Sequence, residues 1–340
     1  MKDDVILLNH GSGTGLTTKL VEEVFLSRFR RVQPGVRCDS AIIDCAAGHL
    51  AFTTDSFVVR PRFFPGGDIG KLAVCGTVND LAVSGAVATV LSAAFVIEEG
   101  FSVAELGRIA DSMAVAASQA GVSIVTGDTK VVEREKADGL FITTSGIGVI
   151  EDRYRHIGSA GFVREGDVVL VNGCVGDHGM AVLAMRNDLH MTSAISSDCA
   201  PLCGLVKSLL DECGTDVVFM RDATRGGVGT VLCELSQMCD REIFVDESRL
   251  PVRGAVRSMC EMFGFDPLFI ANEGKMVVVV RPESEKRAFA AMTSHEYGRD
   301  TAVIGRVGKA TSGGNVTMNT LIGGKRIVIV PQGDQIPRIC

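Results

Sequence analysis

The chain has 340 residues, enough for two domains of ordinary size, with 46% hydrophobic and 22% charged residues. Its net charge of −7 excludes the overall basic surface of a nucleic-acid binder. No basic segment followed by an apolar run opens it, and no apolar stretch of about 18 residues occurs, so a cytoplasmic protein away from membranes is expected.

In chain order, the glycine-rich Asn9-His-Gly-Ser-Gly-Thr-Gly15 leads into helical periodicity over 16–30. Ala41 to Asp44 and His49 to Arg60 read as strands joined by a turn at Gly48. A small-residue helix is predicted over 70–85 and a buried strand over 87–97. Ser102 and Glu105 form a capping box for a helix that Gly121 closes, and strands follow at 122–132 and 139–150. A second unit begins near residue 155, with strands at 167–172, 216–220, 242–246, 276–281 and 301–307. Helices are expected from His178, around 201–213 and at 226–239, 253–263 and 283–295, with a closing hairpin near 316–330. The expected organisation is therefore two α/β domains, 1–155 and 156–330, and a flexible tail, 331–340.

Four aspartates follow strands or open helices among Gly and Thr: Asp55, Asp80, Asp128 and Asp222. Burying an unpaired carboxylate is costly, and hard divalent cations such as Mg²⁺ prefer carboxylate and phosphate oxygens. The same residue types also serve as N-caps and Asx turns. Glycine turns at Pro65–Lys71, Gly173–Gly179 and Arg225–Gly229 could bring backbone N–H groups to phosphate, although none is a Walker A loop. Glu273 sits between Asn272 and Gly274 beside an apolar run, where burial would raise its pKa and make it a proton acceptor; a salt bridge is the competing account. Lys130 lies two residues beyond Asp128, and His10 and His178 fall in glycine turns as loop residues.

The eleven cysteines are scattered, and Cys199 and Cys203 lack a second pair at zinc-site spacing. Free thiols in a reducing compartment are expected. Cys340 stands apart, at the tip of Pro331-Gln-Gly-Asp-Gln-Ile-Pro-Arg-Ile-Cys340.

Eight segments occur in order: Thr53-Thr-Asp-Ser, Phe64-Pro-Gly-Gly-Asp-Ile-Gly-Lys71, Asn79-Asp-Leu-Ala-Val-Ser-Gly-Ala86, Thr126-Gly-Asp-Thr-Lys-Val131, Gly176-Asp-His-Gly179, Arg221-Asp-Ala-Thr-Arg-Gly-Gly227, Asn272-Glu-Gly-Lys275 and Pro337-Arg-Ile-Cys340. Together they resemble the HypE family of hydrogenase maturation factors, within the superfamily of aminoimidazole ribonucleotide synthetase and selenophosphate synthetase. One departure is Thr14, where the family usually has adjacent glycines.

The resemblance implies a two-domain PurM-like α/β (α+β) fold that dimerises through its N-terminal sheets. It implies ATP contacts at Asp68, Lys71, Asn79, Gly127, Asp128, Arg225, Gly226 and Gly227, with Mg²⁺ on Asp55, Asp80, Asp128 and Asp222. It further implies that a carbamoyltransferase, HypF, loads Cys340, and that ATP drives dehydration of the thiocarboxamide to a thiocyanate. The cyano group then passes to iron on a HypC–HypD scaffold. Glu273 would accept the amide proton and Lys130 would steady the phosphoryl group or amide oxygen. A selenophosphate synthetase-like kinase is disfavoured, because Asn9–Gly15 holds no cysteine. A scaffold whose tail only docks a partner is the non-enzymatic alternative.

Overall fold

The computed structural model describes residues 6–7, 15–26, 28, 39–45, 48–187, 195–331, 336 and 338–340. Residues 9–14, with His10 and Thr14, and Pro337 of the tail lie outside the described residues. The predicted first helix is described as α1 (Gly15–Leu20) followed by a π-helical turn at Val21–Leu26.

The N-terminal half continues with β1 (Ala41–Cys45), β2 (Gly48–Phe57), the short β3 (Phe63–Phe64) and β4 (Gly67–Asp68), α2 (Ile69–Val83) and β5 (Ala86–Glu98). It closes with α3 (Val103–Ala120), β6 (Ser123–Val132) and β7 (Leu140–Ile150). Five strands form one sheet in the order β1-β2-β7-β5-β6, antiparallel except for the β5–β6 pair. Ser102 caps α3 by accepting from the Glu105 N–H, and Gly121 ends it at φ 71°, a left-handed turn that suits glycine.

Helix α2 is apolar on every side, as a helix buried all round must be. Of its 15 residues only Lys71 and Asp80 are not fully buried. It packs against β2 and β7 on one side and against the C-terminal half on the other.

The C-terminal half comprises β8 (Val168–Val171), α4 (Asp177–Arg186), α5 (Cys203–Cys213), β9 (Val217–Asp222), α6 (Gly227–Cys239), β10 (Arg241–Asp246) and α7 (Gly254–Phe263). Then come β11 (Met276–Val280), α8 (Glu285–Ser294), β12 (Ala302–Ala310), β13 (Asn315–Asn319) and β14 (Lys325–Ile327). The seven strands are ordered β14-β13-β10-β12-β8-β11-β9. β8 (VVLV) and β11 (MVVVV) pair side by side and are buried throughout, which their unbroken apolar runs require. The alternation of strands and helices does not make a parallel sheet here: only β10 and β13 pair in parallel.

One hydrophobic cluster spans both halves, joining Val78 and Leu81 to Leu202, Leu205 and Met220. Asn79 adds polar bonds across the seam: its amide donates to the carbonyls of Ala200 (3.0 Å) and Glu273 (3.3 Å), and its oxygen accepts from the Leu202 N–H (2.7 Å). No helix among the described residues is long and apolar enough to cross a membrane.

Candidate active site

The seam holds a cavity of about 200 Å³ lined by Asp39, Asp55, Asp80, Asp222, Arg225, Glu273 and Cys340. Asp55 comes from β2, Asp80 from the last turns of α2 and Asp222 from the end of β9; Glu273 precedes β11. Each half supplies acids to one small space, and their pKa values show the strain. Burial raises Asp55, opposed by Arg225. Burial, then the charges of Asp222 and Asp55, push Asp80 well above the usual carboxylate range. Asp222 is raised in the same way by burial, Asp39 and Asp55. Thr53 Oγ1 donates to Asp80 Oδ2 at 2.7 Å and partly offsets this.

Glu273 is 2% exposed, and its Oε1 has no hydrogen-bond partner. Its backbone is held firmly. Asp198 accepts from the N–H groups of Glu273 (3.1 Å) and Gly274 (3.2 Å), and Lys275 pairs with Asp198 at 3.1 Å. A rigid loop thus presents a carboxyl whose pKa burial raises strongly. That fits a proton acceptor in a dry pocket better than the salt bridge weighed from sequence.

Asp39 and Arg221 belong to the site although nothing in the sequence analysis singled them out. Burial pushes Asp39 up to about 6 against the pull of Arg221, whose Nε lies 3.1 Å away. Arg221 also pairs with Glu234 at 2.9 Å. A charged residue inside the apolar run of β9 was the available signal, because a buried arginine needs acidic partners.

The tail lies in this cleft rather than hanging free. Ile336 and Ile339 are 5% and 3% exposed. The Cys340 carbonyl accepts from the Val58 N–H (3.0 Å), and the Ile339 carbonyl lies 2.8 Å from His178 Nε2. Arg338 donates to the Val58 carbonyl and pairs with Asp138 at 2.7 Å, while Arg186 donates to the Arg338 carbonyl. His178 is therefore a buried residue of the first turn of α4, not the loop residue expected. Cys45 on the edge strand β1 is exposed and Cys340 only partly so, so among the described cysteines Cys340 is not the most accessible thiol.

Other expected residues lie elsewhere. Asp128 and Lys130 pair with each other at 2.8 Å on β6, both exposed and away from the cavity, and this pairing holds the Asp128 carboxyl low. Gly127 lies on the same strand, where a Cβ would strike the Ala93 carbonyl. Asp68 is the N-cap of α2, accepting from the N–H groups of Gly70 and Lys71. Lys71 donates to the Gly66 carbonyl and lines a separate cavity of about 740 Å³. Gly226 and Gly227 enter α6 with φ of 76° and 61°; Arg225, just before them, does line the acidic cavity.

Family models for the AIR synthase related protein match here, the N-terminal domain over residues 38–150 and the C-terminal domain over 164–316. The carbamoyl dehydratase HypE of Rhodobacter capsulatus is 48% identical across 100% of this chain and 99% of its own length. The chain belongs to the HypE family of carbamoyl dehydratases. HypE of Escherichia coli (strain K12) is 44% identical, over 98% of this chain and 99% of its own. Among solved structures, a HypE–HypF complex matches with a TM-score of 0.85 and 49% identity, covering 92% of this chain and 99% of that one. HypE in complex with ATP matches with a TM-score of 0.82 and 42% identity, covering 99% and 100%. The mixed α/β fold expected from sequence is thus that of the PurM-like superfamily.

Proposed function

We propose that this carbamoyl dehydratase uses ATP to convert an S-carbamoyl group on Cys340 into S-cyanocysteine, the source of the cyanide ligands of a [NiFe] hydrogenase iron centre. The observation that carries this reading is that Cys340 lines the same cavity as Asp55, Asp80, Asp222 and Glu273. The relatives solved with ATP and with HypF support a nucleotide substrate and a HypF-type partner that loads the thiol. The cyano group then passes to iron on a HypC–HypD scaffold, in the cytoplasm.

The chemistry follows from the leaving group. An amide oxygen leaves poorly, but once it has received the ATP γ-phosphoryl group it departs as phosphate. The two amide protons are lost as the carbon–nitrogen triple bond forms, giving thiocyanate, ADP and phosphate. Glu273, whose Oε1 has no partner and which lines the thiol's cavity, takes a proton from the nitrogen.

Crowded, all-oxygen carboxylates with raised pKa values fit a hard divalent cation. Among the described residues no three such groups converge closely enough to hold an ion unaided, which leaves coordination for phosphate oxygens and water. Asp55, Asp80 and Asp222 would hold Mg²⁺, which supplies charge neutralisation to the triphosphate.

Asp128, Lys130 and Gly127 enter this reading through a homodimer. The outer face of the N-terminal sheet exposes Phe52, Val87, Val96, Ile147 and Val149, an apolar surface suited to a second copy. Covering β6 in this way would bring the Asp128–Lys130 pair to a shared nucleotide site, where Lys130 steadies the transferring phosphoryl group.

The test is to incubate the full chain with ATP, carbamoyl phosphate and HypF, then follow the C-terminal peptide by mass spectrometry. Gain of a carbamoyl group followed by loss of water is expected. An unchanged peptide, or cyanide delivery by Cys340→Ala, sinks the reading.

A further inference from the structure

His178 uses both ring nitrogens, and only one neutral tautomer satisfies them. Nε2 lies 2.8 Å from the Ile339 carbonyl oxygen, and Nδ1 lies 2.8 Å from Ser197 Oγ. A carbonyl can only accept, so Nε2 carries the proton and Nδ1 accepts from the serine hydroxyl. Full burial holds the imidazole pKa down, which keeps the ring neutral and this tautomer the working one.

The ring has little freedom to turn. Phe64 meets it edge-on, with centroids 5.3 Å apart and an interplanar angle of 87°. Ser197 is itself fixed, its N–H donating to the Pro65 carbonyl (2.7 Å) and its Oγ accepting from the Cys199 N–H (3.1 Å). From the opposite wall, the Val58 N–H holds the next carbonyl of the tail, that of Cys340. The backbone oxygens of Ile339 and Cys340 are thus gripped from the two halves of the molecule, and the Cys340 Cα, from which the thiol-bearing Cβ branches, lies between the grips.

We propose that His178 is a positioning residue that sets the register of the tail, placing the group carried on Cys340 in the acidic cavity before Glu273. His178 does not line that cavity and makes no contact with the reacting atoms. It acts through the Ile339 carbonyl alone. Loss of the donor lets the tail slide or lift, which exposes the thiol and spoils the approach to Glu273. This inference rests on the carrier role proposed for Cys340.

The experiment compares wild type, His178→Ala and His178→Gln, the last because its side-chain amide keeps a donor near Nε2. Two quantities are read on the full chain: alkylation of Cys340 by iodoacetamide, and single-turnover dehydration of protein carbamoylated beforehand. With one hydrogen bond removed, His178→Ala is expected to be alkylated about tenfold faster and to turn over about tenfold more slowly. ATP affinity stays unchanged, and His178→Gln recovers most of both effects. Wild-type values in His178→Ala, or a glutamine variant no better than alanine, overturn the proposal. If His178→Ala does not fold, Ser197→Ala must shift both readouts in the same directions, and wild-type behaviour there overturns it equally. Wild-type protein that never forms thiocyanate refutes the carrier role, while the alkylation comparison still decides what His178 does.

Discussion

Arg338 Nη1 lies 2.7 Å from Asp138 Oδ2, so an ion pair fastens the tail to the loop before β7. The same guanidinium donates twice to the Val58 carbonyl, and Arg60 shares the Asp138 carboxylate. Burial raises the Asp138 pKa, but the hydrogen bonds and charges of Arg338 and Arg60 together outweigh it, and the net shift is downward.

Asp138→Asn removes the charge and keeps the shape. Because both partners are about one-third exposed, the pair contributes no more than ~1 kcal/mol after solvent screening. Alkylation of Cys340 is expected to speed up about two- to fivefold, in line with that energy. An unchanged rate would show that Val58 and His178 suffice to hold the tail.

Glu273→Gln preserves the loop and deletes the proton acceptor. Single-turnover dehydration should fall about 10²- to 10⁴-fold while nucleotide binding persists. Because burial raises the Glu273 pKa, the wild-type single-turnover rate should climb with pH as the carboxyl ionises. A glutamine variant with the wild-type rate assigns the proton transfer elsewhere.

The acid cluster predicts an unusual stability profile. Asp39, Asp55, Asp80, Asp222 and Glu273 bind protons more tightly folded than unfolded, where carboxylates titrate near about 4. Their stabilising contribution is therefore complete below that pH and is lost as pH rises through the folded values, about 6 for Asp39. Ligand-free Tm should fall between about pH 5 and 8, and Asp80→Asn should flatten the fall by removing one charge. A ligand-free Tm that rises over this window contradicts the cluster's electrostatics.

Val87→Asp tests the second copy. Val87 on β5 is 69% exposed, so the change costs the single chain little. Sedimentation should show a monomer with less than about one-tenth of wild-type dehydration, because interface charges without partners prevent burial. Full activity in a monomer would remove Asp128 and Lys130 from the reaction.

Much of the architecture was legible because strand and helix periods were clean, as with the all-valine core of β11 and the Ser102–Gly121 brackets of α3. Asp55, Asp80, Asp222 and Glu273 were legible because each interrupts an apolar element beside Gly, Thr or Asn, where a carboxylate needs a reason to be. Asp39 was not, since no periodic element surrounds it and its role depends on Arg221, far away in sequence. Asp128 shares the sequence context of the other three, yet β6 carries it to an open face; local context does not encode which face a sheet turns outward. The tail misled for a related reason. Its prolines and glycine suggested a loose arm, but the spacing of Ile336 and Ile339 gives it two apolar anchors.

The shared cavity has a mechanical consequence. Asp39, Asp55 and Asp80 stand on one side of the domain seam and Asp222 and Glu273 on the other, so ionising them pushes the halves apart. Ile336, Ile339 and Cys340 sit in that same seam, and on the function proposed above they would leave it for Cys340 to meet a loading enzyme. A divalent cation with nucleotide would draw the halves together over the tail, and its departure would loosen them. On the function proposed above, the carboxylates would act as a spring whose tension is set by what lies between them, timing the exposure of the thiol to the nucleotide cycle.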